Sequence, residues 1–202
     1  SPVMESNPAP LVHIAFVLQF LAFAAIRFYW FAKTAPSRTG ARLLEPQWAM
    51  WLRLALGLPM LALIAAYFVR PGILAFADVP MPTAARATGV ALGIGGLALL
   101  WWVQRTLGDN FHSVLHVREG HTLVTDGPYR YVRHPMYTTF YIIAAAYFLM
   151  TGNLVIAALW TVPLTSILLV RTRREEATMR AEFGSAYADY AARTGRFVPR
   201  FG

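Results

Sequence analysis

The sequence predicts an all-α membrane protein of five transmembrane helices, the last two paired as a helical hairpin. The N-terminus is expected outside and the C-terminus in the cytoplasm, with an amphipathic C-terminal helix. Three observations carry that reading. Of the 202 residues, 57% are hydrophobic and 14% charged, whereas a soluble domain has roughly 45–50% and about 25%. The apolar residues collect into five segments, and about 20 residues cross the ~30 Å hydrocarbon core. The 18 basic residues, with Lys33 the sole lysine, gather mainly on one side of those segments, as cytoplasmic loops require.

Leu11 to Ala32 is the first segment, closed by a polar loop with Lys33, Pro36, Ser37, Arg38, Gly40 and Arg42. Trp48 to Val69 is the second, with Pro59 expected to kink it and Arg70-Pro71-Gly72 to stop it. Ala84 to Val103 is the third. Its Gly89, Gly93, Gly95 and Gly96 permit close helix packing, within the chain or between protomers. Pro135 to Met150 is short for a span, Thr151-Gly152-Asn153 makes a tight turn, and Leu154 to Val170 runs back. Beyond it, Met179, Phe183, Tyr187 and Tyr190 form one apolar stripe on a helix from Arg173 to Arg193. That helix lies on the membrane surface or covers the cytoplasmic site from below.

Orientation follows from the loops. Three Lys or Arg fall in residues 33–47, four in 104–134 and seven from 171 onward, against Arg70 and Arg86 on the other side. Arg27 and Arg53 lie inside spans, where a charge is costly and either snorkels or serves function. Ser1-Pro2-Val3 ahead of Met4 reads as an expression remnant. With no basic stretch before the first apolar run, no cleavable signal peptide is expected. The arginine-rich, lysine-poor composition suggests a bacterial inner membrane. The absence of cysteine excludes disulfides, Cys-ligated zinc, iron–sulfur clusters and a thiol nucleophile.

Four of the five histidines, His112, His116, His121 and His134, fall within 23 residues of one cytoplasmic loop. Only His112 and His116 have i, i+4 spacing, no zincin-type glutamate adjoins them, and carboxylates nearby are few; no metal site is expected. Pro135 directly after His134 suits the first position of the fourth helix, which puts His134 at its N-cap. Unpaired backbone N–H groups there welcome an anion. Arg130 and Arg133 add positive charge, and Tyr129, Tyr131 and Tyr137 add aromatic faces that attract a cation. A zwitterionic ligand suits such a mouth. An interfacial Arg-and-Tyr belt accounts for the same composition equally well. Just past the fifth span, Arg171 and Glu175 share a helix face at i, i+4. This pair is either a carboxylate ready for an ammonium group or an ordinary surface ion pair.

At these residues the chain resembles a known family. HTLVTDGPYRYVRHPMY, followed one hairpin later by RTRREEATMRAEFGSAYADYAARTGRFVP, is similar to the membrane methyltransferases typified by isoprenylcysteine carboxyl methyltransferase, with phospholipid N-methyltransferase-like proteins among them. The likeness covers roughly residues 104–200. It implies S-adenosylmethionine as methyl donor, leaving S-adenosylhomocysteine as product. It further implies donor contacts at His121, Thr122, Leu123 and Val124, at Tyr129, at His134, Pro135, Met136 and Tyr137, and at Glu175. Arg171 matches the arginine that holds the methyl acceptor, and His116 stands where the eukaryotic enzymes have a glutamine. On this reading Arg171, Glu175 and His134 carry the catalysis. Residues 1–103 are a three-span membrane region, and 104–202 form the catalytic region of the same structural domain. The acceptor is lipophilic: an isoprenylcysteine-type carboxylate, a lipid amine or a small thiol. It comes from the bilayer, with no nucleic acid involved. The alternatives are an NADPH-dependent sterol or enone reductase, which shares a related hairpin, and a non-catalytic membrane scaffold.

Overall fold

A computed structural model describes residues 4–5, 9–34, 47–108 and 123–200. Five helices follow in order: α1 (Pro10–Lys33), α2 (Gln47–Val69), α3 (Thr83–Leu107), α4 (Pro135–Thr151) and α5 (Leu154–Arg193). A short antiparallel pair joins β1 (Met4–Glu5) to β2 (Met81–Pro82). The apolar segments set these boundaries to within a few residues, except at the end of α5, and local chemistry sets the ends. Proline opens α1 and α4, where its missing N–H costs nothing. Arg70-Pro71 stops α2, and a 3-10 turn over Pro71–Ala77 follows. Gly152, at φ 64°, ends α4, and the Asn153 side chain caps α5 by accepting the Ile156 N–H at 3.0 Å.

Among the described residues, α1, α3 and α5 are long and apolar enough to cross a membrane. A fourth span arises if Gly57–Val69 and Pro71–Ala77, bent by 111°, form one broken crossing. α4 has 17 residues, or about 26 Å of helix, less than the ~30 Å core. Leu18, Leu21, Phe28, Leu58, Ile94, Val162 and Leu169 are exposed along these helices, as lipid-facing positions of an integral membrane protein are. Inside, Phe16, Tyr67, Tyr147 and Trp160 are buried and meet edge to face, with Phe16–Tyr147 and Tyr147–Trp160 centroids 5.1 Å apart.

The glycine face of α3 packs within the chain. A Cβ at Gly89 would stand 2.8–2.9 Å from the Leu149 Cβ, the Ala146 carbonyl and the Met150 N; one at Gly96 would stand 2.8 Å from Ile143. α3 and α4 are therefore in backbone contact, antiparallel. Gly95 has nothing within 4 Å and faces away. Arg86, expected at a helix edge, is buried in the first turn of α3 and donates to the Met150 carbonyl at 2.6 Å.

The fifth segment differs from the expected span followed by a separate amphipathic helix. The helix runs past Val170 as far as a kink at Gly184 (φ 51°, ψ −124°), and a second helical stretch completes the 40 residues of α5 to Arg193. Of the apolar stripe, Tyr187 and Tyr190 are buried and Met179 and Phe183 half-buried. The Arg53 side chain and the loop holding Pro36, Ser37, Arg38, Gly40 and Arg42 lie outside the described residues.

Candidate active site

The site is built where the start of α4, the extension of α5 and the chain after α5 meet. His134 is the N-cap of α4. Its Nδ1 is 3.5 Å from Glu175 Oε2, and its Nε2 is 3.2 Å from Glu176 Oε1. Successive residues of one helix thus hold the two nitrogens of one ring. Glu175 also pairs with Arg171 Nη2 at 3.0 Å, and the Tyr137 hydroxyl approaches its Oε1 at 3.5 Å. The i, i+4 pairing of Arg171 and Glu175 is as their spacing requires.

The two glutamates have different environments. Glu176 is buried and takes a bidentate pair from Arg196, Nε at 2.8 Å and Nη2 at 2.6 Å. Arg133 Nε adds charge at 3.6 Å. Burial alone would raise the Glu176 carboxyl, but hydrogen bonds from Arg196 and His134, with their charges, hold it down at about 2. Glu175 keeps 20% of its side chain exposed. Burial lowers the His134 pKa, and the two glutamates only partly oppose it, while Arg196 adds to the lowering. The imidazole is therefore neutral at pH 7. Burial, with Tyr190 and Glu175 adding, pushes the Tyr129 phenol up, so it stays neutral.

The chain after α5 closes over this cluster. The His134 N–H donates to the Arg196 carbonyl at 3.1 Å and the Arg133 N–H to Gly195 at 2.8 Å. Arg133 Nη1 donates to the Ala191 and Thr194 carbonyls, and the Thr138 hydroxyl donates to Phe197 O at 2.6 Å. The N–H of the N-cap residue His134 itself is thus taken by the chain's own backbone. The Phe197 ring lies 5.7 Å from His134 and 6.5 Å from Tyr137.

The structure brings His134, Tyr137, Arg171 and Glu175 together. Met136 follows on α4, with its Sδ 3.6 Å from Arg27 Nη1, and Pro135 is buried beside it. Tyr129 is buried in the 3-10 turn Gly127–Arg130, where its carbonyl accepts the Tyr190 hydroxyl at 2.7 Å. Leu123 and Val124 are half-buried in the chain leading to that turn. His116, His121 and Thr122, with His112, lie outside the described residues. Among the described residues no group of three or more His, Cys, Asp or Glu could hold a metal ion. Three participants escape a reading by spacing: Glu176, Arg196 and Phe197. The closing Arg-Phe-x-Pro run carries the latter two as a motif, but their contacts need the chain to turn back after Gly184. A partly exposed carboxylate and three rings match the chemistry of a donor with an ammonium and a sulfonium. These residues fit S-adenosylmethionine.

The isoprenylcysteine carboxyl methyltransferase family model matches residues 89–181, beginning inside α3 and so earlier than residue 104. A protein-S-isoprenylcysteine O-methyltransferase of Schizosaccharomyces pombe is 38% identical over 94 residues, 46% of this chain and 40% of that protein. One of Mus musculus is 30% identical over 115 residues, 56% of this chain and 41% of that protein. The chain spans about two fifths of the length of these curated relatives. Among solved structures, the eukaryotic intramembrane Ras methyltransferase ICMT aligns with a TM-score of 0.57 at 18% identity, covering 92% of this chain and 67% of that one. That likeness is one of fold. All these matches are to methyltransferases, and the reductase alternative is not favoured.

Proposed function

We propose that this isoprenylcysteine carboxyl methyltransferase-like chain is an integral membrane enzyme that moves a methyl group from S-adenosylmethionine to the carboxylate of a lipophilic, isoprenylcysteine-type acceptor. The observation that carries this reading is the meeting of Arg171, His134 and Tyr137 on Glu175. When bound, the donor supplies an electrophilic methyl on a cationic sulfur, whose S–CH3 bond breaks, its electron pair staying on sulfur, as an O–CH3 bond to the acceptor forms. A carboxylate acceptor has no proton to lose, so the residues position and desolvate. Glu175 holds the ammonium of the donor. Neutral His134 and the rings of Tyr137 and Phe197 face its cationic part without opposing that charge. Arg171 turns the acceptor carboxylate toward the methyl. Alignment of this kind contributes on the order of 7–11 kcal/mol in good intramolecular cases. A lipid amine would need to lose a proton, which neutral His134 could accept, and a small thiol would react as its thiolate.

The proposed setting is a bacterial inner membrane, with five membrane helices, N-terminus outside and the site on the cytoplasmic face. Its support is that three, four and seven basic residues, 14 of 18, fall in the segments assigned to that face. Residues 1–103 supply the first three helices and 104–202 the catalytic region.

The test is the full chain in lipid nanodiscs with methyl-labelled S-adenosylmethionine, offered a farnesylated cysteine with a free carboxylate, a lipid amine and a small thiol. The expected product is a base-labile methyl ester on the prenylated cysteine. Label on the amine or thiol alone would overturn the carboxylate assignment, and label on none would overturn the activity.

A further inference from the structure

Gln104 stands in the last turn of α3, its carbonyl accepting the Gly108 N–H. Its side chain is fully buried. Neither the amide nitrogen nor the amide oxygen has a hydrogen-bond partner, and among the described residues no other side chain leaves two polar atoms unmet. A carboxamide in that position costs stability until something binds it.

The packing register says where it lies. Gly89 meets Ala146, Leu149 and Met150; Gly93 meets Ala146; Gly96 meets Ile142 and Ile143. Each step forward on α3 is an equal step back on α4. Gln104 is two turns past Gly96 on the same buried face, with Leu100 between. It therefore stands level with the first turn of α4, Pro135 to Thr139, which carries Met136 and Tyr137.

We infer that Gln104 recognises the adenine edge of the methyl donor, its oxygen accepting the exocyclic N6–H and its nitrogen donating to a ring nitrogen. The inference rests on the methyltransferase reading above. The ammonium of the donor already has a charged counterpart in Glu175. A neutral, fully buried amide is suited to a neutral edge that offers a donor beside an acceptor, and glutamine pairs with adenine in that bidentate way.

The experiment is titration calorimetry of the full chain with S-adenosylhomocysteine and with S-inosylhomocysteine, whose base carries a carbonyl in place of the N6 amine. Wild type is expected to bind the inosyl analogue about tenfold or more weakly. Gln104→Met is expected to bind both alike, with weakened S-adenosylhomocysteine affinity, and to melt no lower than wild type. Three results overturn the inference: no discrimination by wild type, retained discrimination in Gln104→Met, or a lower melting temperature for that variant, which would mean the amide is partnered within the protein. If wild type binds neither compound, the methyltransferase reading itself fails.

Discussion

The two ends of α4 are both polar, yet they use their polar groups differently. At the Gly152 end, Arg86 donates to the Met150 carbonyl, and Asn153 donates to the Leu74 carbonyl at 2.8 Å and to Asp78 Oδ1 at 2.6 Å. The Gly152 carbonyl accepts the Val79 N–H at 2.7 Å. These side chains serve the backbone and tie loops together. At the His134 end the polar side chains mostly serve one another, and Glu175 keeps part of its carboxylate in reach of solvent. A buried polar group bonded to backbone is structural; a partly exposed carboxylate ringed by a base, a phenol and an arginine is available for a ligand. The same contrast repeats within the mouth, between Glu175 and Glu176.

The sharpest way to break the comparison is through the contact that holds both ends in register. Gly89→Leu pushes a side chain into Ala146 and Met150 backbone. It should cost about 3 kcal/mol or more and abolish S-adenosylhomocysteine binding together with the fold, read by thermal unfolding. Glu176→Gln removes the charge that Arg196 grips. Because Arg196 is 42% exposed, the loss should be about 2 kcal/mol, below the ~3–5 of a fully buried pair. At the opposite end, Gly152→Ala meets both a φ of 64° and a Val79 carbonyl 2.7 Å from the new Cβ. About 1–2 kcal/mol should go there, with donor affinity per folded molecule unchanged. An affinity change from Gly152→Ala would erase the distinction between the ends.

Acid should separate the groups of the mouth by pH. The folded imidazole of His134 titrates below its ordinary 6.5, so the unfolded chain takes up that proton first, and stability falls as pH drops through 6.5. The Glu176 carboxyl sits at about 2 against an ordinary 4.5. Its contribution is complete above about pH 4.5 and is lost as pH falls toward 2. Melting temperature against pH should show both declines, and His134→Gln should remove the upper one alone.

Much of this was legible in the residues because its causes are local. Helix ends follow Pro10, Pro135 and Gly152, and the Arg171–Glu175 pair follows from helix periodicity. His134 was legible as an N-cap because Pro135 follows it. What was not legible depends on distant partners. The His134 N–H is met by a carbonyl 62 residues further along the chain, at Arg196, which no spacing rule anticipates. Gln104 looks like any polar residue near a helix end until burial and register are known. The unbroken passage from span into α5's extension was hidden for another reason. The change from apolar to charged composition near Arg171 is a change of side chains, and the helix continues through it without a change in its backbone.

In the proposed mouth, Glu175 and His134 hold the donor while Glu176 holds the protein. Calorimetric titration of S-adenosylhomocysteine into wild type, Glu175→Gln, His134→Ala and Glu176→Gln, each checked for folding, tests it most directly. Glu175→Gln and His134→Ala should lose about tenfold or more in affinity, with Glu176→Gln close to wild type below its lowered melting point. Unchanged affinity in both Glu175→Gln and His134→Ala would contradict the account.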